Sequence, residues 1–132
     1  MANTPLLITS LSAIILAAIY MVQTFSVIAK RRSDKIIYGD GGDNTMMKRM
    51  RGHGNSAEQM PIFLILLGLA EFHGLATSIA AILAGMFILG RLLHGYYFLD
   101  IGAHHSRRRI GMFLTLLGQI FVILCLAVSL MF

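Results

Sequence analysis

Three apolar runs, approximately Pro5 to Ala29, Leu75 to Leu99 and Ile110 to Phe132, constrain this chain more than anything else in it. Each reaches the roughly 20 residues that cross the hydrocarbon of a bilayer as a helix. A fourth run, Met60 to Glu71, is too short by itself. It reaches spanning length once the polar stretch Thr45 to Gln59 forms the first half of the same helix, with its polar face protected inside a bundle. The composition agrees, because 57% hydrophobic residues against 13% charged is a balance that soluble domains of this size do not reach. The expectation is an all-α, integral membrane four-helix bundle. It forms one domain over residues 1–132, with helices at about 5–29, 45–72, 75–99 and 107–131.

A cleaved signal peptide is not expected, since the basic cluster Lys30, Arg31, Arg32, Lys35 follows the first apolar run and none precedes it. Thr4 and Pro5 instead suit an N-cap and a first helical position. Cys125, the only cysteine, lies deep in the last run, where a thiol packs as a small apolar group and has no intrachain partner.

Basic residues set orientation through cytoplasmic loops. Lys30, Arg31, Arg32, Lys35, Lys48, Arg49 and Arg51 surround the first loop, and Arg107, Arg108 and Arg109 follow the third, while the termini and the second loop carry none. Loops one and three are therefore expected in the cytoplasm, with both termini on the outer side. The net charge of +5 is mainly this topology signal; no soluble basic surface is available for nucleic acid. Tyr38-Gly-Asp-Gly-Gly-Asp43 concentrates turn formers ahead of an N-cap at Asp43, Asn44 or Thr45. Neither Walker spacing nor a calcium-loop pattern is present there, which favours a tight turn. Glu71-Phe-His-Gly74 makes a short turn with Gly74 as a helix stop.

Helix two carries the chemistry. In Arg51-Gly-His53-Gly-Asn55-Ser-Ala-Glu58-Gln-Met-Pro61 a cation, an amide and a carboxylate recur at i, i+4 and i+7, on one helical face. Counting back from the turn near His73 at 1.5 Å per residue, Asn55 and Arg91 each lie about 18 residues away, roughly 27 Å, with Glu58 about a turn shallower. They meet at one level. Arg91 is the only basic residue in the third run, and Glu58 is its expected counter-ion, because an isolated buried charge is strongly unfavourable. His94 follows one turn later on nearly the same face. One Asn would serve as glue between helices, whereas two Arg, one Glu, one Asn and two His exceed what packing requires. Pro61 removes a backbone bond three residues after Glu58 and is expected to bend the helix. Cations favour an anionic, amphipathic ligand, and Asn55 with Glu58 suit an ammonium group, so a zwitterionic peptide fits both.

Arg51-xxx-Asn55-xx-Glu58-xx-Pro61, followed by Gly90-Arg91-xx-His94 and a basic start to helix four, resembles the MAPEG proteins. These are the membrane-associated proteins of eicosanoid and glutathione metabolism. The resemblance covers almost the whole chain, and Tyr38-Gly-Asp-Gly-Gly with Arg-Arg-xx-Gly111-Met is similar to the uncharacterised bacterial branch, which implies a bacterial inner membrane. It implies a homotrimer with glutathione bound between neighbouring subunits at the cytoplasmic side. Carried over by position, Arg51, Asn55 and Glu58 are ligand-binding, as are Arg91 and His94. One of Arg107, Arg108 and Arg109 is the thiol-activating catalytic residue, and Arg31 is placed to reach a neighbour's ligand. Relatives that form eicosanoids commonly carry Tyr after the second-helix Glu and four residues after the His94 position. This chain has Gln59 and Phe98 there, with Tyr97 one position earlier as the remaining candidate.

The function so implied is that of a glutathione transferase or peroxidase, activating the glutathione thiol for attack on a hydrophobic electrophile that enters from lipid. A free thiol with a pKa of about 8.5 is only a few per cent thiolate at neutral pH, and a nearby guanidinium favours the anion. The alternative is a non-enzymatic small transporter or accessory protein in which Glu58 takes up protons or cationic cargo. No metal is expected. His53, His94, His104 and His105 would collect one only if loop three folded back, and no HxxxH or HExxH spacing occurs.

Overall fold

A computed structural model describes residues 6–99 and 105–131. Four helices and no strands make up the described residues: α1 Leu7–Asp34, α2 Asn44–Phe72, α3 Thr77–Phe98 and α4 His105–Ser129. Three of them, α1, α3 and α4, are long and apolar enough to cross a membrane. The fourth, α2, joins a polar first half to an apolar second half and continues through Pro61 to Phe72, 29 residues or about 44 Å in all. The chain is an all-α membrane bundle. One boundary differs from expectation by more than two residues: α1 runs on beyond Ala29 through the basic cluster to Asp34. The helix continues through Lys30–Asp34 because Lys30 and Asp34, one turn apart, pair at 2.5 Å.

The third helix is the centre. It buries ten residues, from Ala80 to Phe98, whereas α1 buries only Ser12, Leu16 and Gln23 and leaves Leu11, Ile14, Val22 and Phe25 exposed. Both α1 and α4 pack on α2 and α3 without touching each other. The α3–α4 seam is the tightest, because Gly111, Thr115, Gly118 and Val122 repeat at i, i+4, i+7 and i+11 along the buried face of α4. A Cβ added at Gly90 would lie 2.8 Å from the Gly111 carbonyl oxygen and from the Thr115 nitrogen. One added at Gly111 would lie 2.6 Å from the His94 nitrogen. Small residues therefore let two backbones meet, which in lipid replaces the hydrophobic drive that water would supply. Between α2 and α3, Phe63 and Phe87 stack with ring centroids 3.8 Å apart at the middle of the core.

The helix ends are tied across the bundle. Asp43 caps α2, its Oδ1 accepting from the Met46 nitrogen at 2.6 Å, and its other oxygen lies 3.4 Å from Lys30 Nζ. The intervening Gly39, Gly41 and Gly42 all take positive φ, the tight turn that their composition indicates. At the opposite end the cap of α1 comes from another helix. The Thr4 and Pro5 expected there lie outside the described residues; Leu6 holds the cap position without a side-chain bond. Glu71, at the end of α2, accepts from the Ile8 nitrogen at 3.1 Å, the Thr9 nitrogen at 2.7 Å and the Thr9 hydroxyl at 2.6 Å. A carboxylate over the first turn also complements the helix dipole. Gly74, at φ 89°, then ends the turn.

The α3–α4 seam predicts an asymmetric response to alanine. Gly111→Ala should lower the thermal unfolding midpoint in detergent, by roughly 1–3 kcal/mol of stability, because the atoms in its way are backbone. Gly85→Ala, with nothing within 4 Å of the added Cβ, should leave the midpoint unchanged or slightly raised. Equal midpoints for the two variants would mean that the seam is looser than this.

Candidate functional site

The polar half of α2 meets α3 at the level that residue counting indicates. Gly52 makes the approach close, since a Cβ there would run into Phe98. Three residues further on, Asn55 Oδ1 accepts from Arg91 Nη1 at 2.9 Å. Arg91 has no exposed surface at all, and its Nε and Nη2 have no protein partner. One turn later His94, 4% exposed, leaves its Nδ1 unpaired and sets its ring 4.7 Å from that of Phe98. A buried guanidinium with two nitrogens unpaired and an imidazole beside it form a cationic cluster in which Asn55 is one acceptor for several donors.

Glu58 does not supply them. The expected Glu58–Arg91 ion pair is absent among the described residues: Glu58 is exposed, and Arg91 is held by Asn55 instead. The reason is angular. Three residues rotate a helical side chain about 60° from coincidence, enough to turn Asn55 to α3 and Glu58 outward. Arg51, one heptad before Glu58, is exposed on the same outward face and borders an open groove of about 470 Å³ with Gly39, Asp40, Met47 and Met50. Ile65 and Phe72, one and two heptads after Glu58, are exposed too. The face that carries Arg51, Asn55 and Glu58 is thus split between the bundle interior and an outward stripe along α2.

The three α4 arginines diverge as a helix requires. Arg107 lies over the Tyr96 ring at 4.9 Å, and Arg108 lies over Tyr97 at 5.9 Å and Phe98 at 5.8 Å. Arg109 borders a separate groove with Ser106, Ile110 and Phe113. Because Phe98 abuts His94, Arg108 is the one of the three stacked on the aromatic wall of the Arg91 pocket. Tyr97 is enclosed, with Lys48 over its ring at 4.4 Å and His105 at its edge. Arg31 donates weakly to the Ile37 carbonyl and to Met50 Sδ, both at 3.5 Å, and stays at the mouth of loop one. His104 lies outside the described residues.

Several polar contacts at this end have no counterpart in the sequence reading. His53 stacks on Tyr20 at 4.6 Å and pairs with the Thr24 hydroxyl at 3.1 Å, joining α1 to α2. Arg49 donates to the Ser26 carbonyl at 3.1 Å. Ser56, 1% exposed, leaves its hydroxyl unpaired and borders an apolar groove of about 350 Å³ between α1 and α2, with Tyr20, Ala17, Met60 and Pro61. The signal for Tyr20 and Thr24 was their place as polar groups inside an apolar run, but run-level reasoning gave them no partner.

Comparison with known proteins agrees with the architecture. The model of the MAPEG family matches residues 9–128. Inner membrane protein YecN of Escherichia coli strain K12 is 31% identical over 121 residues, covering 89% of this chain and 88% of that protein, and the same-named protein of strain O6:H1 matches equally.

The Asn55–Arg91 bond predicts coupling. Asn55→Leu should destabilise the bundle by roughly 1–3 kcal/mol by leaving the guanidinium with no partner, and adding Arg91→Leu should recover part of that loss. Glu58→Gln combined with Arg91→Leu should be simply additive. Thermal unfolding of the two cycles checks both, and coupling to Glu58 in place of Asn55 would reverse the assignment.

Proposed function

Because the chain belongs to the MAPEG family, we propose that it is a glutathione-binding membrane protein that activates the bound thiol for attack on a hydrophobic electrophile. The observation that carries this is Arg91, fully buried, with two guanidinium nitrogens unpaired next to Asn55 and His94. An anionic ligand with carboxylate oxygens supplies the missing acceptors, and guanidinium and carboxylate match in bidentate geometry. The Asn55 amide faces this guanidinium, while the Glu58 carboxylate, on the outward side of the same helix, suits the ammonium group of a zwitterionic peptide that extends past the subunit edge.

The outward stripe supports assembly. Arg51 and Glu58 face away from their own subunit on a helix otherwise bordered by apolar positions, and charges at membrane depth need a protein or water-lined surround. A homotrimer in which a neighbour covers α2 provides it and sets the Arg31 of one copy near the Arg51 and Glu58 of another. The basic residues at the ends of loops one and three support a cytoplasmic side for this site, with both termini outside. The bacterial inner membrane is the corresponding location.

In this assignment Arg108 is the thiol-activating residue among the three. A guanidinium beside a thiol with an ordinary pKa of about 8.5 stabilises the thiolate, and each unit of depression corresponds to about 1.4 kcal/mol. Tyr97, already enclosed by Lys48, His105 and Arg108, orients that guanidinium and does not donate to the sulfur. The groove between α1 and α2 adjoins the polar half of α2 at Ser56, so an apolar electrophile reaches the site from lipid. The second assignment, a transporter or accessory protein, is favoured by one observation: among the described residues Glu58 makes no salt bridge and is exposed, which leaves it open to a proton or cationic cargo.

Two measurements separate these functions. Glutathione should bind the purified oligomer by calorimetry, and Arg51→Ala should weaken it roughly tenfold to a hundredfold, as for loss of a hydrogen bond to a charged group. Arg108→Leu should keep most of the affinity while losing the ultraviolet thiolate absorbance at neutral pH; Arg107→Leu and Arg109→Leu should keep both. Binding without any thiolate signal in the parent protein would end the transferase assignment and leave the transporter.

A further inference from the structure

The outward face of α4 repeats the spacing of its buried face. Gly111, Thr115, Gly118 and Val122 turn inward, and Arg109, Phe113, Leu116 and Ile120 each stand two residues before one of them. Two residues turn a helix by about 200°, so this second stripe points away from the bundle. All four of its residues are exposed, Phe113 by 62%. The one charge on the stripe is at its end. There Arg109 and Ser106, one turn earlier, border an open groove of about 290 Å³ with Ile110 and Phe113.

The guanidinium groups of Arg107 and Arg108 lie over the rings of Tyr96, Tyr97 and Phe98, whereas Arg109 has no hydrogen bond, ion pair or ring contact among the described residues. A guanidinium is weakly hydrated and presents a fork of donors that matches the oxygens of a phosphate. The exposed Ser106 hydroxyl adds a donor beside it. Beyond them Phe113, Leu116 and Ile120 extend the stripe to about 16 Å from Arg109, close to the roughly 15 Å that is half of a hydrocarbon core. A second copy of the chain could also cover an exposed helix face, but the two outward stripes differ. On α2, Arg51 and Glu58 need a protein or wet surround, whereas every exposed residue of α4 from Ile110 to Leu124 is apolar and matches hydrocarbon.

We propose that Arg109 and Ser106 hold the phosphate of an anionic phospholipid, one acyl chain of which lies along Phe113, Leu116 and Ile120. An anionic headgroup is preferred because the phosphate of a zwitterionic lipid carries its own ammonium partner. The site does not rest on the glutathione assignment, since Arg109 stands apart from the residues around Arg91.

The chain contains no tryptophan, so Phe113→Trp places a single fluorescent reporter on the stripe. The full-length protein with this change is reconstituted in mixed vesicles of phosphatidylglycerol and phosphatidylcholine, with bromine on the acyl chains of one lipid or of the other. Bromine quenches only lipid-contacting fluorophores, and the two readings give the lipid composition at the reporter. Phosphatidylglycerol should be enriched there roughly threefold to tenfold over its share of the vesicle, the scale of one cation at an anionic surface. Adding Arg109→Gln should bring the enrichment close to one, while Arg107→Gln, which removes the same charge from the same helix end, should leave it. An enrichment near one in the reporter protein overturns the proposal, as does equal loss in the two arginine variants, which would mean a diffuse field. Weak quenching by both lipids would mean that a second copy covers the stripe, and overturns it too. If Phe113→Trp fails to fold, Ile110→Trp on the same groove gives the same reading.

Discussion

A guanidinium with no exposed surface is held in this bundle by one hydrogen bond, from Arg91 Nη1 to Asn55 Oδ1, and the rest of the polar architecture is arranged around it. A charge so placed is tolerated only where partners surround it or where the site is wet or liganded. Asn55 anchors it to α2, and Phe98, packed into the space left by Gly52, closes the pocket towards the end that carries the first and third loops. His94 Nδ1 adds a third unsatisfied nitrogen to the two of Arg91. Among the described residues the buried basic side chains, Arg91 and His94, both lie at this level.

That concentration depends on backbones coming unusually close. Gly90 and Gly111 allow α3 and α4 to touch main chain to main chain, which brings the start of α4, with its three arginines, alongside Tyr96, Tyr97 and Phe98. A side chain at either glycine would push α4 outward and carry Arg108 off the aromatic wall. Polar contacts tie α1 at both ends: Glu71 of α2 holds its first turn, and Lys30 near Asp43 holds its last. A helix that buries only three residues needs such ties to keep its place in a fluid surround.

The outward stripe of α2 is the counterpart of this interior. Arg51 and Glu58 share it with Ile65 and Phe72 at heptad spacing, so one helix turns charge and hydrocarbon to the same side. Asn55, one turn from each, faces in. Inward amide and outward ions belong to a single continuous helix surface, which is why a ligand resting on Asn55 and Arg91 would also meet whatever covers Arg51 and Glu58.

Membrane class, helix number and the level at which Asn55 and Arg91 meet were legible in the sequence, because run length and rise per residue are one-dimensional quantities. The family was legible as well, carried by the Arg51 to Pro61 pattern and by Gly90-Arg91-xx-His94. The partner of Arg91 was not. Depth arithmetic puts Asn55 and Glu58 within a turn of each other, and only the rotation of α2 about its own axis, set by the packing of Gly52 on Phe98, decides that the amide faces inward and the carboxylate outward. The cap on α1 was hidden for the same reason, since Glu71 and Thr9 are 62 residues apart and nothing local joins them. Which of the three α4 arginines faces outward likewise needed two helices seen together. Sequence by itself determined which elements form and how deep each residue lies; the tertiary structure alone decided which face each element turns to which neighbour, because helix rotation is fixed by contacts between residues far apart in the chain.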